Sequence, residues 1–378
     1  MQIFVSAGEP SGDLHGANLT HALRDLHAGA QVVGFGGDRM AAAGAELIHP
    51  LANHAIMGLT GIARNLPAML RFAAKAEDAM RAGVAAVVLI DYPGFHWHLA
   101  ARAKRLGIPV FSFVPPQLWA WRSYRVRKMR KLFDRVLCAL PFEEPWFRDR
   151  GLDARYVGHP YFDELHRAKL NEAFLAHQRG GPMVALLPGS RDGEIRRNLE
   201  TLVSTAKAVH VARPDVRFLV ACFNESHRAK VDARLAGEGL PAETHVGRTP
   251  EIIRAADVCA AVSGSVSLEL LFHGTPSCVV YRVNPLYRRL SKVVLNVKHI
   301  SLVNLIADRE LFPEFLTAHD SGAEVAAQLL RWLDDPSAAN RVRADMAELR
   351  DRVAKPGACR RAAEEVLAAA GGRLRRAS

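Results

Sequence analysis

Short apolar runs, separated by amphipathic stretches of helical length, constrain this chain more than any other feature. The clearest is Val84-Ala85-Ala86-Val87-Val88-Leu89-Ile90, seven residues without one polar side chain. A strand this apolar must be covered on both faces, which a parallel sheet flanked by helices achieves and a half-solvated antiparallel sheet does not. Similar runs occupy 3–6, 32–35, 110–114 and 136–140, then 183–187, 218–221, 258–262 and 277–281. Their alternation with helical segments predicts an α/β fold built on parallel sheets. With 378 residues the chain exceeds one doubly wound sheet and predicts two domains. The charged stretch 163–179 has no strand pattern and runs into Gly180-Gly181-Pro182, so the joint is expected there. The expected parts are a Rossmann-like domain over 1–165, a second over 180–350, and a closing helix over 351–378 that could pack back on the first. Two such domains facing each other would bring the carboxyl ends of both sheets to one interdomain cleft, where open α/β sheets bind ligands.

The charge balance narrows the partners. Fifty Lys and Arg against 39 Asp and Glu leave +11, which favours phosphorylated substrates, nucleic acid or an anionic membrane face. Nucleic acid drops out, because no helix-turn-helix, zinc-finger or RNP signature accompanies the charge and aromatic residues are only 7%. No apolar run approaches the roughly 20 residues of a spanning helix. The amino terminus lacks a basic region and a cleavage site, so a cytoplasmic protein is expected. The five cysteines are scattered without a C-x-x-C pair, which argues against disulfides or a zinc ribbon.

The loops after the runs carry the candidate chemistry. After the first comes Gly8-Glu9-Pro10-Ser11-Gly12-Asp13-Leu14-His15-Gly16. Its glycines permit a tight turn close to a ligand, and Ser11 or Asp13 can cap a helix whose amino end favours anions. The spacing is not G-x-G-x-x-G, so no dinucleotide cofactor is indicated; a plain capped turn explains it equally well. Asp91 follows the 84–90 run, where partial desolvation would raise its pKa and suit it to act as a base; capping the next helix is the other reading. Leu187-Pro188-Gly189-Ser190-Arg191 enters a helix carrying Glu194. Amides at Gly189 and Ser190 could face a phosphate, with the Arg191 guanidinium paired to it. Ser263-Gly264-Ser265-Val266-Ser267-Leu268-Glu269 reads as a strand end and a helix start. It would set amides at a diphosphate and a carboxylate at ribose hydroxyls. No Asp-x-Asp occurs, so no metal site is expected and cationic side chains must serve the leaving group.

The E-x4-G-x-P stretch from Glu269 to Pro276, with two α/β domains, resembles the metal-independent GT-B glycosyltransferase fold. More specific are Gly8-Glu9-Pro10-Ser11-Gly12-Asp13, Met57-Gly58, Ile90-Asp91-Tyr92-Pro93, Trp119-Ala120-Trp121-Arg122, Leu140-Pro141-Phe142-Glu143, Gly158-His159-Pro160, Leu187-Pro188-Gly189-Ser190-Arg191 and Ser301-Leu302-Val303-Asn304-Leu305-Ile306-Ala307. In order, from residue 3 to about 316, these resemble the lipid-A-disaccharide synthases.

The resemblance implies an inverting hexosyltransferase without cofactor or metal. It would move 2,3-diacylglucosamine from UDP-2,3-diacylglucosamine to the 6-hydroxyl of 2,3-diacylglucosamine 1-phosphate, giving lipid A disaccharide 1-phosphate and UDP. It implies Asp91 as general base, with Arg191 and Asn304 needed for activity. Gly8, Glu9, Ser11, Gly12, Asp13 and His15 would meet the acceptor. Gly189, Ser190, Arg191, Ser263, Gly264, Ser265 and Glu269 would hold UDP, Glu269 at the ribose. Two positions depart from the family pattern: His96 stands where Asn is commoner, and Pro10 where Ala or Thr is commoner.

Acylated substrates bring in the membrane. Ile56, Met57, Leu59, Ile62, Leu66, Met69 and Leu70 form an apolar series at near-helical spacing, readable as an acyl-contact surface or as a core helix. The basic run Arg122, Arg125, Arg127, Lys128, Arg130 and Lys131 suits an anionic leaflet or a solvated helix face. Together they imply a peripheral protein on the cytoplasmic face of the inner membrane, with room for a homo-oligomer. The rival is a UDP-sugar epimerase or another GT-B UDP-sugar enzyme, which would need neither the apolar series nor the first loop.

Overall fold

The computed structural model describes residues 1–52, 66–284 and 297–377. The chain divides into two compact units, Met1–His166 with Lys355–Ser378, and Arg167–Ala354. The calls at Ile56, Met57, Leu59 and Ile62 lie outside the described residues.

The first unit holds seven parallel strands, β1 (Gln2–Ala7), β2 (Gln31–Phe35), β3 (Glu46–His49), β4 (Val84–Ile90), β5 (Val110–Phe113), β6 (Arg135–Cys138) and β7 (Ala154–Tyr156). Their order is β3-β2-β1-β4-β5-β6-β7. The chain leaves β3 at one edge, passes through the helix Leu66–Arg81 and re-enters beside β1 as β4. The winding therefore reverses between β1 and β4, and the crevice at their carboxyl ends is where such sheets bind ligands. Alternate residues feed two cores. Phe4, Val87 and Leu89 pack with Met69 and Ala73 of helix Leu66–Arg81 and with Phe95 and Leu99 of helix Pro93–Arg105. Ile3, Val5, Val88 and Ile90 pack with Leu19 and Leu23 of helix Pro10–Leu26 and with Ala362 and Val366 of helix Ala358–Ala377. Each fully buried aliphatic side chain contributes about 2 kcal/mol.

The second unit repeats the scheme with β8 (Met183–Leu187), β9 (Arg217–Cys222), β10 (Ala242–Val246), β11 (Val258–Val262), β12 (Ser277–Arg282) and β13 (Glu314–Thr317), all parallel. The order β10-β9-β8-β11-β12-β13 puts its reversal between β8 and β11. Four strands that no apolar run announces, β3, β7, β10 and β13, are the edges of the two sheets.

The stretch 163–179 holds the end of helix Pro160–Arg167 and the short helix Glu172–His177. Asp163 is buried, and its carboxylate accepts the amides of Gly357 (2.6 Å), Ala358 (3.0 Å) and Cys359 (2.8 Å). It thus caps the closing helix from nearly 200 positions away in sequence. Among the described residues no helix is long and apolar enough to cross a membrane. Asp163→Ala should lower stability by about 2 kcal/mol in urea unfolding, since three orphan amides lose a charged acceptor; an unchanged midpoint would refute the capping role.

Candidate functional site

The first half-site lies at the β1–β4 reversal. Gly8 ends β1 beneath the Tyr92 ring, where an added Cβ would come within 2.4 Å of the ring carbons. Gly12 and Gly16, expected to let the backbone approach a ligand, also admit close packing. A Cβ on Gly12 would sit 3.3 Å from the Ala7 Cβ, and one on Gly16 2.5 Å from the Met40 sulfur. Pro10 occupies the first turn of helix Pro10–Leu26, where its missing N–H costs nothing. Asp13 is buried and its carboxylate accepts the amides of Gly37 (2.6 Å), Arg39 (3.1 Å) and Met40 (3.1 Å). Both oxygens thereby hold the start of helix Asp38–Ala42. His15 is also buried, its ring 5.9 Å from that of His159. In this loop Pro10 and Ser11 are exposed, while Glu9 and Leu14 are half-buried.

Asp91 is partly exposed and adopts φ +33°, a left-handed conformation costing a non-glycine residue about 1–3 kcal/mol. Such strain, at the end of a strand buried over its whole length, sets the carboxylate on the open edge. It lines a small cavity with Tyr92, His96 and Pro116. His96 shares a 3.0 Å hydrogen bond with Ser6 of β1, tying helix Pro93–Arg105 to the central strand beneath the loop. Burial and the charge of Glu9 push the Tyr92 phenol up to about 12.

Glu143 and His159 are further buried polar residues of this half-site. Glu143 is buried and accepts the Trp119 indole N–H and the amides of Ala139 and Leu140, each at 3.0 Å. Burial raises its carboxyl to about 7 against those three donors. It thereby joins the loop after β5 to the loop after β6. Nothing local in the sequence distinguishes such a carboxylate from an exposed one.

The second half-site lies at the β8–β11 reversal. Gly189 has φ +102°, and an added Cβ would meet the Glu194 carboxylate at 2.6 Å. That carboxylate accepts the amides of Ser190 (3.0 Å) and Arg191 (3.2 Å) and pairs with the Arg191 guanidinium at 3.1 Å. The Ser190 amide expected to face a phosphate is thus engaged by the protein's own anion. The Arg191 side chain is 70% exposed. After β11, Gly264 and Ser265 are exposed, while Ser263 donates to the Ile300 carbonyl at 3.2 Å. Glu269, the carboxylate expected at a ribose, is only 3% exposed. Asn304 is fully buried. Its amide donates to the Phe312 carbonyl (2.7 Å) and Glu314 (2.8 Å), and its carbonyl accepts the amides of Leu311 and Phe312 (2.8 Å each).

A family model described as lipid-A-disaccharide synthetase matches residues 3–369. The chain belongs to the lipid-A-disaccharide synthase family. Relatives include lipid-A-disaccharide synthases of Myxococcus xanthus, 37% identical, and Anaeromyxobacter dehalogenans, 36% identical, each alignment covering 97% of both chains. Among solved structures, the chain resembles a UDP-GlcNAc 2-epimerase from Neisseria meningitidis bound to UDP-GlcNAc, with TM-score 0.67 at 11% identity over 97% of this chain and 100% of that one. At that identity the likeness is one of fold, the two Rossmann-like domains of GT-B enzymes.

In this synthase-family chain Asn304 is tied into a wider hydrogen-bonded network. Its partner Glu314 also binds the amides of Ile300 and Ser301 (2.8 Å each), and the Ile300 carbonyl holds Ser263. The expected membrane residues divide: Met69 is in the core and Leu70 is 49% exposed.

Three buried imidazoles of the first half-site make stability depend on pH. Burial lowers His15 and His96 to about 3 and His159 to about 4, with His159 and Arg39 adding to the shift at His15. In the unfolded chain they take up protons near pH 6.5 and in the folded one much lower. Their stabilisation is complete above pH 6.5 and is lost as pH falls toward 4, by up to about 1.4 kcal/mol per pH unit each. Glu143 acts oppositely between about 4.5 and 7, one group against three. Urea midpoints followed by tryptophan fluorescence should therefore drop from pH 7 to 5, and less steeply in His96→Gln; equal slopes would contradict this.

Proposed function

We propose that the protein transfers 2,3-diacylglucosamine from UDP-2,3-diacylglucosamine to the 6-hydroxyl of 2,3-diacylglucosamine 1-phosphate, forming lipid A disaccharide 1-phosphate and UDP. Family membership over residues 3–369 carries this reading. The family's two loop motifs also stand at the two winding reversals, where α/β sheets take ligands.

On this reading the acceptor sits at the β1–β4 reversal. Asp91 takes the proton of the 6-hydroxyl as that oxygen attacks the anomeric carbon, and the bond from that carbon to UDP breaks. An aligned base contributes about 10²- to 10⁴-fold. Glu9 and Ser11, polar residues of the neighbouring loop that are not buried, orient the sugar. UDP departs carrying added negative charge. The exposed Arg191 guanidinium and the Gly264–Ser265 turn stabilise that charge most strongly in the transition state, which raises turnover as well as affinity. Glu269 meets the ribose hydroxyls, and Asn304 acts from inside the unit, through Glu314 and Ile300 on Ser263 of the turn after β11.

Acylated substrates call for a peripheral enzyme on the cytoplasmic face of the inner membrane, with the exposed Leu70 toward the chains. Asp91→Asn should cut turnover by at least about 100-fold while UDP affinity, read by calorimetry, stays nearly unchanged. Arg191→Ala should weaken UDP binding and turnover together. Retained turnover in Asp91→Asn would remove it as the base.

A further inference from the structure

No acidic residue stands between Asp91 and Asp134, yet six basic residues crowd into positions 122–131. Elsewhere the cations are well paired: Arg213 and Arg234 each bind two carboxylates, and Lys104 holds Asp134 at 2.6 Å. Among the described residues, no carboxylate ion-pairs with any of the six. Arg127, Arg130 and Lys131 project from the short helix Val126–Leu132 into solvent, the exposed Lys128 reaches over the Trp97 ring at 5.4 Å, and Met129 is buried in the core. Beside them stand two exposed aromatics, Trp121 (42%) and Tyr124 (67%), and the Arg122 guanidinium lies over the Trp121 ring at 4.3 Å.

Unpaired cations repel one another, and two exposed aromatic rings give up apolar burial, so this surface is unfavourable unless something covers it. We propose that the 121–131 surface docks on an anionic lipid leaflet, with the cations at the headgroup charges and Trp121 and Tyr124 seated in the interfacial layer. Charge complementarity supplies the attraction, and Trp and Tyr prefer that layer because each joins an apolar body to a polar edge. Its position fits. The segment follows β5, neighbour of β4, and Pro116 of the same connection lines the cavity of Asp91. Docking here brings the proposed acceptor loop to the leaflet that supplies an acylated, phosphorylated substrate, a step that rests on the proposed function.

The full chain, the triple variant Arg127→Gln/Arg130→Gln/Lys131→Gln and the pair Trp121→Ser/Tyr124→Ser are compared in two assays. One is partitioning onto phosphatidylglycerol-containing and pure phosphatidylcholine vesicles at low and high salt. The other is turnover of detergent-solubilised substrates, which requires no bilayer and reports that the variants fold. The triple variant should lose about 100-fold in partitioning to anionic vesicles, about fivefold per cation, and the aromatic pair about 10-fold. Both should keep turnover in detergent. Undiminished vesicle binding by both variants, or salt-insensitive binding to phosphatidylcholine, would overturn the proposal. Tighter binding of the full chain to an oligonucleotide than to anionic vesicles, lost in the triple variant, would overturn it in favour of a nucleic-acid surface. Absence of turnover in the unaltered chain would instead overturn the proposed function, while the vesicle assay still reads the surface.

Discussion

The chemistry of this chain depends on β4 being sealed on both faces. All seven of its residues are buried, with alternate side chains entering two separate cores. A strand so enclosed leaves no place for a polar group along its length. The first position that can carry one is the residue just past its end, and that residue is Asp91. The same exclusion acts on β8 and β11, whose five residues apiece are buried, and it moves Arg191 and the Gly264–Ser265 turn to the strand ends of the second unit. Parallel winding then brings the ends that matter side by side, β1 with β4 and β8 with β11.

Around these edges, buried polar groups hold geometry. Asp13 gathers three amides, Asp163 three more, Glu143 two amides and an indole, and Asn304 satisfies both ends of its amide. Desolvating such groups is tolerable only with partners of this quality, and removing one partner strands the others. An effect of Asn304 on the site needs no contact with substrate. It follows from the path through Glu314 and Ile300 to Ser263.

The interior of both sheets was legible because fully buried strands must be written as continuous apolar runs. The edges were not: β3, β10 and β13 are half-exposed along much of their length and β7 spans three residues, so hydrophobic continuity is absent where pairing is one-sided. The site divided along a similar line. That residues 8–15, 91, 189–191 and 263–269 lie at strand ends is a local property, readable from the order of apolar runs and turns. Whether a side chain turns outward depends on partners far away in sequence. Asp13 turns in because Gly37 and Met40 offer amides, and Asn304 because Phe312 and Glu314 close around it. Gly12 and Gly16 show the same limit, since a glycine that admits a neighbouring side chain looks identical to one that admits a ligand.

The central claim is transfer of an acylated sugar between two bound substrates on a fold shared with epimerases. Mass spectrometry of products from UDP-2,3-diacylglucosamine incubated with 2,3-diacylglucosamine 1-phosphate tests it most directly. The account predicts a disaccharide 1-phosphate carrying the acyl groups of both sugars, formed in equal amount with UDP and only when both substrates are present. Acceptor-independent conversion of the UDP-sugar to an isomer of the same mass, with no disaccharide, would contradict it.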